Sequence, residues 1–318
     1  MNTFSIIFQS VVALLGIGVL GFWIIRREVI PENILHFLSI LAIDIALPSI
    51  VFSNIISNFS PSAFPDWWKL PIWWLIFSVV ALLLTLVTMF ASKKDTRSEF
   101  ALSLFFQNGI FFPLIIISGL FGRGTPYLVT VFIFMIFHPP LYFGTYHLFF
   151  RKGDGKVERK LNLKRILNPV LIATLLAVII SLIGVQDYLP MFIISIFQIL
   201  GEMALPLVMM ILGGSLYLDF QRKGRIYIAE IVKFVLMKNI AFPLVFLGLL
   251  ILIHPDYNIA LVIILQSAVP PITGIPIVTE RAGGNRAITN QFILASFVFS
   301  IVSIPLIFNL FSTFFPMP

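Results

Sequence analysis

Two short stretches hold most of the residues in this 318-residue chain that could recognise a ligand. The first is Gln107-Asn108-Gly-Ile-Phe-Phe-Pro113, and the second is Gln266-Ser267-Ala-Val-Pro270-Pro271-Ile-Thr273-Gly-Ile-Pro276. Each lies inside an apolar run, about Phe100 to Phe121 and about Ile259 to Val278, long enough to cross a bilayer as a helix. Proline removes a backbone donor and clashes with the preceding turn, so Pro113, Pro270 and Pro271 predict a break in each run. A break in hydrocarbon survives only where protein or a wet cavity satisfies the freed backbone groups. Half-helix ends at Pro113 and Pro271, with donors from Gln107, Asn108, Gln266, Ser267 and Thr273, would suit a carboxylate. A proline kink that only shapes packing is the alternative for either run taken alone.

Four ionisable residues fall well inside apolar runs: Asp44, Glu202, Lys238 and His138. Such residues are functional candidates by default. Asp44 and Glu202 are candidates for proton or ion coupling, or structural acids paired with a base or capping a broken helix. Lys238 would be that base or would counter an anionic substrate. Lys233, nearer the end of its run, would snorkel. His138, followed by Pro139-Pro140, reads as a packing residue ahead of a proton relay. No His, Asp and Glu set has metal-ligand spacing, no nucleophile motif is present, and no phosphate-binding loop occurs. Neither a cofactor nor an enzymatic function is expected.

The elements that position these residues are membrane spans. The chain is 59% hydrophobic and 11% charged, with a mean hydropathy of +1.04, no cysteine and 34 phenylalanines. Soluble proteins carry about 25% charged residues. Ten spans are predicted: about Phe4 to Ile25, Asn33 to Ile56, Trp67 to Ala91, Phe100 to Phe121, Thr125 to Phe150, Pro169 to Gly184, Met191 to Leu216, Tyr227 to Ile253, Ile259 to Val278 and Ile288 to Phe311. The first is read as a permanent span rather than a signal peptide, because Arg26-Arg27 follow it and no basic residue precedes it. The loops after the odd-numbered spans hold 17 of the 21 Lys and Arg residues, and the opposite side holds only Lys69 and Arg123. By the positive-inside rule both termini face outward. That placement also accounts for the net charge of +7 as a topology signal, and argues against nucleic acid as a partner.

The halves repeat. Asp44-Ile-Ala-Leu-Pro48 matches Glu202-Met-Ala-Leu-Pro206, and Gln107 and Gln266 stand 159 residues apart, half the chain. Five spans per half is an odd number, so the second half enters the membrane inverted. The expected organisation is a first five-helix repeat over 1–150, a cytoplasmic basic linker over 151–165, and an inverted repeat over 166–318. The fold class is all-α integral membrane, ten helices as two inverted repeats, with helices four and nine broken and crossing. Paired interrupted spans of this kind point to a secondary transporter.

The motifs also resemble a known family. Asn108-Gly-Ile-Phe-Phe-Pro113-Leu, Ile166-Leu-Asn-Pro169, Glu202-Met-Ala-Leu-Pro206-Leu with Gly213-Gly-Ser-Leu216, and Ser267-Ala-Val-Pro270-Pro with Glu280-Arg-Ala-Gly-Gly284 are similar, in order, to those of the auxin efflux carrier family, within the wider bile-acid and auxin transporter-like superfamily. The resemblance implies a scaffold of helices one, two, six and seven, a transport domain, and crossed fourth and ninth helices at the site. It also implies a frequent homodimer, and places Asp44 and Glu202 near the scaffold interface. The short linker favours a bacterial-type permease in the inner membrane. The expected function is alternating-access transport of a small organic anion, auxin-like or a dicarboxylate, driven by protons or membrane potential in preference to sodium. The rivals are a sodium-coupled bile-acid-type symporter of the same fold and a membrane sensor built on it.

Overall fold

The computed structural model describes residues 3–31, 33–62, 64–122, 124–150, 168–221 and 226–317. The expected linker over 151–165, Arg123 and the basic residues at 222–225 lie outside the described residues. Among the described residues every regular element is a helix, and there is no strand. In order, the helices are α1 (Thr3–Arg26), α2 (Ile34–Asn58), α3 (Lys69–Ala91), α4 (Arg97–Phe105), α5 (Phe111–Phe121), α6 (Pro126–Phe149), α7 (Pro169–Leu182), α8 (Met191–Leu218), α9 (Ile228–Ile253), α10 (Tyr257–Ala268), α11 (Ile275–Arg281) and α12 (Arg286–Phe314).

Seven of these, α1, α2, α3, α6, α8, α9 and α12, are long and apolar enough to cross a bilayer. Their outer surfaces carry Val19, Leu20, Trp23, Leu83, Val87 and Leu252, all well exposed. Apolar side chains all round a helix belong in lipid, not water. The other expected spans are shorter in the structure. The fourth and ninth divide into α4 with α5 and α10 with α11. The sixth is α7, whose 14 residues rise about 21 Å. Its start follows the sequence closely: Asn168 caps it by accepting from Leu171 N–H at 2.9 Å, and Pro169 opens the helix. Proline is at home there because its missing donor is an orphan anyway.

Prolines shape three long helices. A proline cannot donate to the carbonyl four residues back and crowds it. Pro48 faces the carbonyl of Asp44 in this way, and α2 relaxes into a π-turn over Leu41–Ala46. Pro243 does the same to Asn239, and α9 carries a π-turn over Leu236–Ala241. Pro206 does it to Glu202, and α8 loses regularity at Met203, between segments Met191–Glu202 and Ala204–Gln221. The repeated acid-x-x-x-Pro motif is thus a helix defect with its carboxylate on the residue whose carbonyl is left short of a donor.

Two close contacts organise one side of the molecule. α1 runs along α8 with the backbones touching: a Cβ on Gly21 would fall on the Met210 carbonyl, and one on Gly213 would fall on the Gly18 carbonyl. α7 packs along α2, and Gly201 of α8 rests on the Ile50 backbone of α2. The remaining helices share an aromatic core. Phe77 of α3 stacks on Phe246 of α9 at 4.6 Å, and Phe100 of α4 meets Phe234 and Phe292 edge-on at 5.5 and 5.6 Å.

Candidate functional site

Both predicted breaks are present, and they meet. α4 ends at Phe106, whose backbone is extended, and α5 begins at Phe111. α10 ends at Val269, also extended, and α11 begins at Ile275. Between them the chains pair antiparallel at Gln107 and Pro271. Asn108 N–H donates to the Pro270 carbonyl at 2.8 Å, and Ile272 N–H donates to the Phe106 carbonyl at 3.0 Å. Each break therefore supplies partners for the other's freed backbone groups. An unsatisfied backbone group in hydrocarbon costs several kcal/mol, so this exchange is what allows two extended segments inside an apolar core. Pro270 and Pro271 fit because they bring acceptors to this crossing and no donors that would need partners.

Side chains complete the crossing. Gln266 is fully buried in the last turn of α10, and its Nε2 donates to the Gly109 carbonyl at 2.7 Å. Gly109 is needed for this approach, because a Cβ there would occupy the space of the Gln266 Oε1 and the Met135 methyl. Gln266 and Ser267 were expected within the break; both are helical, and the second break starts about one helical turn later than the Gln107–Gln266 spacing implies. The Ser267 hydroxyl donates to its own helix, to the Ile264 carbonyl at 2.8 Å. Pro113 lies buried in the first turn of α5, where its missing N–H costs nothing. Thr273 is half-buried in the turn before α11. With seven residues, α11 makes only about two turns, so the potential at its start is weaker than a full half-span would give.

His138 joins this group. It is buried, its ring meets Phe106 at 5.9 Å, and it borders a narrow gap with Phe106, Gln107 and Phe77. Lys238 is fully buried in the α9 π-turn, which packs against α10. Tyr142 was not expected. It follows His138 by one helical turn, packs on Phe106 at 4.9 Å, and places its hydroxyl 3.1 Å from where a Gly274 Cβ would sit. The signal was its i+4 spacing from His138, which puts both on one face of α6. Among the described residues, the donors Asn108 Nδ2, His138 Nε2 and Tyr142 OH and the acceptor Gln266 Oε1 are buried at the crossing without a hydrogen-bond partner. Buried polar groups are normally satisfied, so four open ones around a single crossing set it apart from the rest of the core.

Asp44 and Glu202 are not brought to the crossing. Both are exposed near the middles of α2 and α8, on the outside of the bundle. Two other acids, which the sequence did not single out, tie helix ends together. Glu99 accepts from Asn285 N–H at 2.7 Å. Glu230 accepts from the Ser92 hydroxyl at 2.7 Å and pairs with Lys233 at 2.9 Å. The voids at the crossing are small. The one beside Ile110, lined also by Val51, Phe132, Met135 and Leu171, holds about 10 Å³, room for one water.

A multi-pass helical bundle with two mutually satisfied breaks and open donors beside them is the form of a membrane carrier. The comparisons place it further. The family model described as membrane transport protein matches residues 6–308, and the chain belongs to that family, the auxin efflux carrier family, whose members are transporters and not enzymes. A search of curated protein sequences finds no match.

Proposed function

We propose that this protein carries a small organic anion across the membrane by alternating access, with the crossing of the two breaks as its binding site. The observation that carries the reading is the set of open donors at a backbone crossing already satisfied within itself. Asn108 is central, because its N–H is used by Pro270 while its Nδ2 is left for a ligand. Gln107, Pro113, Gln266, Pro270, Pro271 and Thr273 shape the site, and Ser267 supports it from within α10. The closed voids belong to an occluded conformation, which opens on one side at a time as the crossing moves against α1, α2, α7 and α8.

Ten spans in two inverted halves remain our reading of the architecture. It is supported by the way α1 packs along α8 while α7 packs along α2, the exchange an inverted repeat requires. Both termini then face outward, in a bacterial inner membrane. Protons or the membrane potential drive the cycle in preference to sodium. Asp44 and Glu202 serve as structural charges on the scaffold face, and a homodimer formed there would take both off the lipid.

The test is uptake and counterflow in proteoliposomes with labelled acids including malate and indole-3-acetate, under imposed pH, sodium and voltage gradients. Flux of at least one acid is expected, and Asn108→Ala abolishes it in a protein that still folds, since the backbone bond to Pro270 is untouched. Wild-type protein that binds no acid and moves none would overturn the reading.

A further inference from the structure

The crossing holds one group whose chemistry the fold fixes and then leaves unused. Gln266 is fully buried, and its Nε2 donates to the Gly109 carbonyl at 2.7 Å. A carbonyl can only accept, so this bond sets which end of the carboxamide is which. The other end, Oε1, is a buried acceptor without a partner. The backbone donors around it are spent. Asn108 and Ile272 N–H groups donate across the crossing to Pro270 and Phe106, and the Gly109 N–H turns back to the Gln107 carbonyl at 2.9 Å. The Val269 N–H and the Ser267 hydroxyl donate within α10, to the Leu265 and Ile264 carbonyls. Pro270 and Pro271 have no N–H to give. The other open groups are less decided. Among the described residues the Asn108 carboxamide makes no side-chain hydrogen bond, so it can turn to offer either end, and a tyrosine hydroxyl or a histidine ring nitrogen can donate or accept. Gln266 states a single requirement, a donor.

Beside that oxygen there is room for one small polar group. Gln266 Oε1 and the Met135 methyl crowd the same point, the place a Gly109 Cβ would take. Met135 also lines the void of about 10 Å³, together with Ile110, the residue after Gly109. The methionine thus brings the void up to the carboxamide. The volume suits one water, or a ligand group of that size. The rest of its lining is apolar apart from Thr174, whose hydroxyl donates to its own helix, to the Val170 carbonyl at 2.7 Å. A ligand O–H or N–H at this edge meets an open acceptor. A C–H in the same place would displace water without replacing its hydrogen bond, which loses affinity.

We propose that Gln266 reads a hydrogen-bond donor on the transported anion, so that the site takes acids carrying an O–H or N–H besides the carboxylate over isosteres that lack one. This rests on the transport reading above and deepens it: the carboxylate goes to Asn108, and the second group to Gln266 Oε1. Asn108 and Gly109 are chain neighbours, with Cα atoms about 3.8 Å apart, so one small acid can span both.

The experiment pairs acids that differ by one donor: malate with succinate, mandelate with phenylacetate, and indole-3-acetate with benzofuran-3-acetate. Each is measured by flux in proteoliposomes and by ligand-induced thermal stabilisation of the purified protein. Wherever a pair binds, the donor-bearing acid is expected to bind at least about tenfold more tightly, the factor that corresponds to roughly 1.4 kcal/mol. Gln266→Met keeps the length of the side chain and removes the oxygen, and the two acids of a pair should then bind within about twofold of each other. A glutamine that only locks the breaks would weaken both acids of a pair alike and keep their ratio, and that result overturns the proposal. So does wild-type protein that binds the two members of every pair equally, which leaves transport standing and needs no variant to fold. Preference for the donor-bearing acid without flux would uphold the role of Gln266 and overturn transport. Binding of no acid from any pair would overturn both.

Discussion

Replacing Gly109 with alanine adds one methyl group at the point where the two breaks touch. The new Cβ would take the space now held by the Gln266 carboxamide and the Met135 methyl. Met135 is flexible and can withdraw. Gln266 can withdraw only by giving up its 2.7 Å bond to the Gly109 carbonyl. Leaving that carbonyl unpaired costs about 1–3 kcal/mol. Gly109 is not at positive φ, so alanine's smaller unfolded-state entropy returns about 0.4–1 kcal/mol. The net loss is on the order of 1–2 kcal/mol, read as a lower unfolding midpoint in detergent. Gly248→Ala in α9 is the control: nothing lies within 4 Å of its Cβ, so a gain of about 0.5–1 kcal/mol is expected there. Gln266→Ala removes both the obstacle and the bond. The double variant Gly109→Ala with Gln266→Ala should therefore be no less stable than Gln266→Ala alone, a coupling of about 1–2 kcal/mol in the cycle. Strict additivity, or a Gly109→Ala protein as stable as Gly248→Ala, would refute the claim that this contact locks the breaks.

Gly213→Ala sets a Cβ against the Gly18 carbonyl and the Phe22 nitrogen, both backbone atoms that cannot rotate away. It should cost more than Gly109→Ala, about 3 kcal/mol from overpacking, seen as a lower midpoint and poor recovery from membranes. Asp44→Asn and Glu202→Gln lie away from the crossing, so each should change initial uptake rates in proteoliposomes by less than about twofold. Glu230→Gln leaves Lys233 without its charge partner and weakens the acceptor for Ser92, so it should destabilise by about 1–2 kcal/mol in thermal unfolding.

The sequence showed the two breaks because proline and glycine leave a chemical trace that apolar residues do not. It placed Gln107, Asn108, Pro270 and Pro271 correctly at interruptions. It could not set the register of the second break, because Gln266 and Ser267 are compatible with either a helix end or a loop. Tertiary contact decided the matter: Gln266 is helical and reaches across to Gly109. Tyr142 escaped notice because a tyrosine in an aromatic-rich span carries no mark of its own, and its meaning comes from Phe106 and Gly274, distant in the chain. The depth of Asp44 and Glu202 was legible, but which side of the helix they face was not. Apolar residues surround these helices on all sides, so no amphipathic stripe orients them.

The π-turn in α9 fits one residue more into its turn than a regular helix would, and each added residue rotates the remainder of the helix by about 100°. Lys238 and Asn239 are therefore both buried on neighbouring positions, the second bonded to Ser296. The aim of the only buried lysine among the described residues is thus an address written by Pro243, five residues along the chain. Shortening Leu236–Ala241 by a single residue would keep every side chain of the crossing and turn that lysine toward the lipid. The turn thus offers a way to reassign a buried charge through helix phase alone.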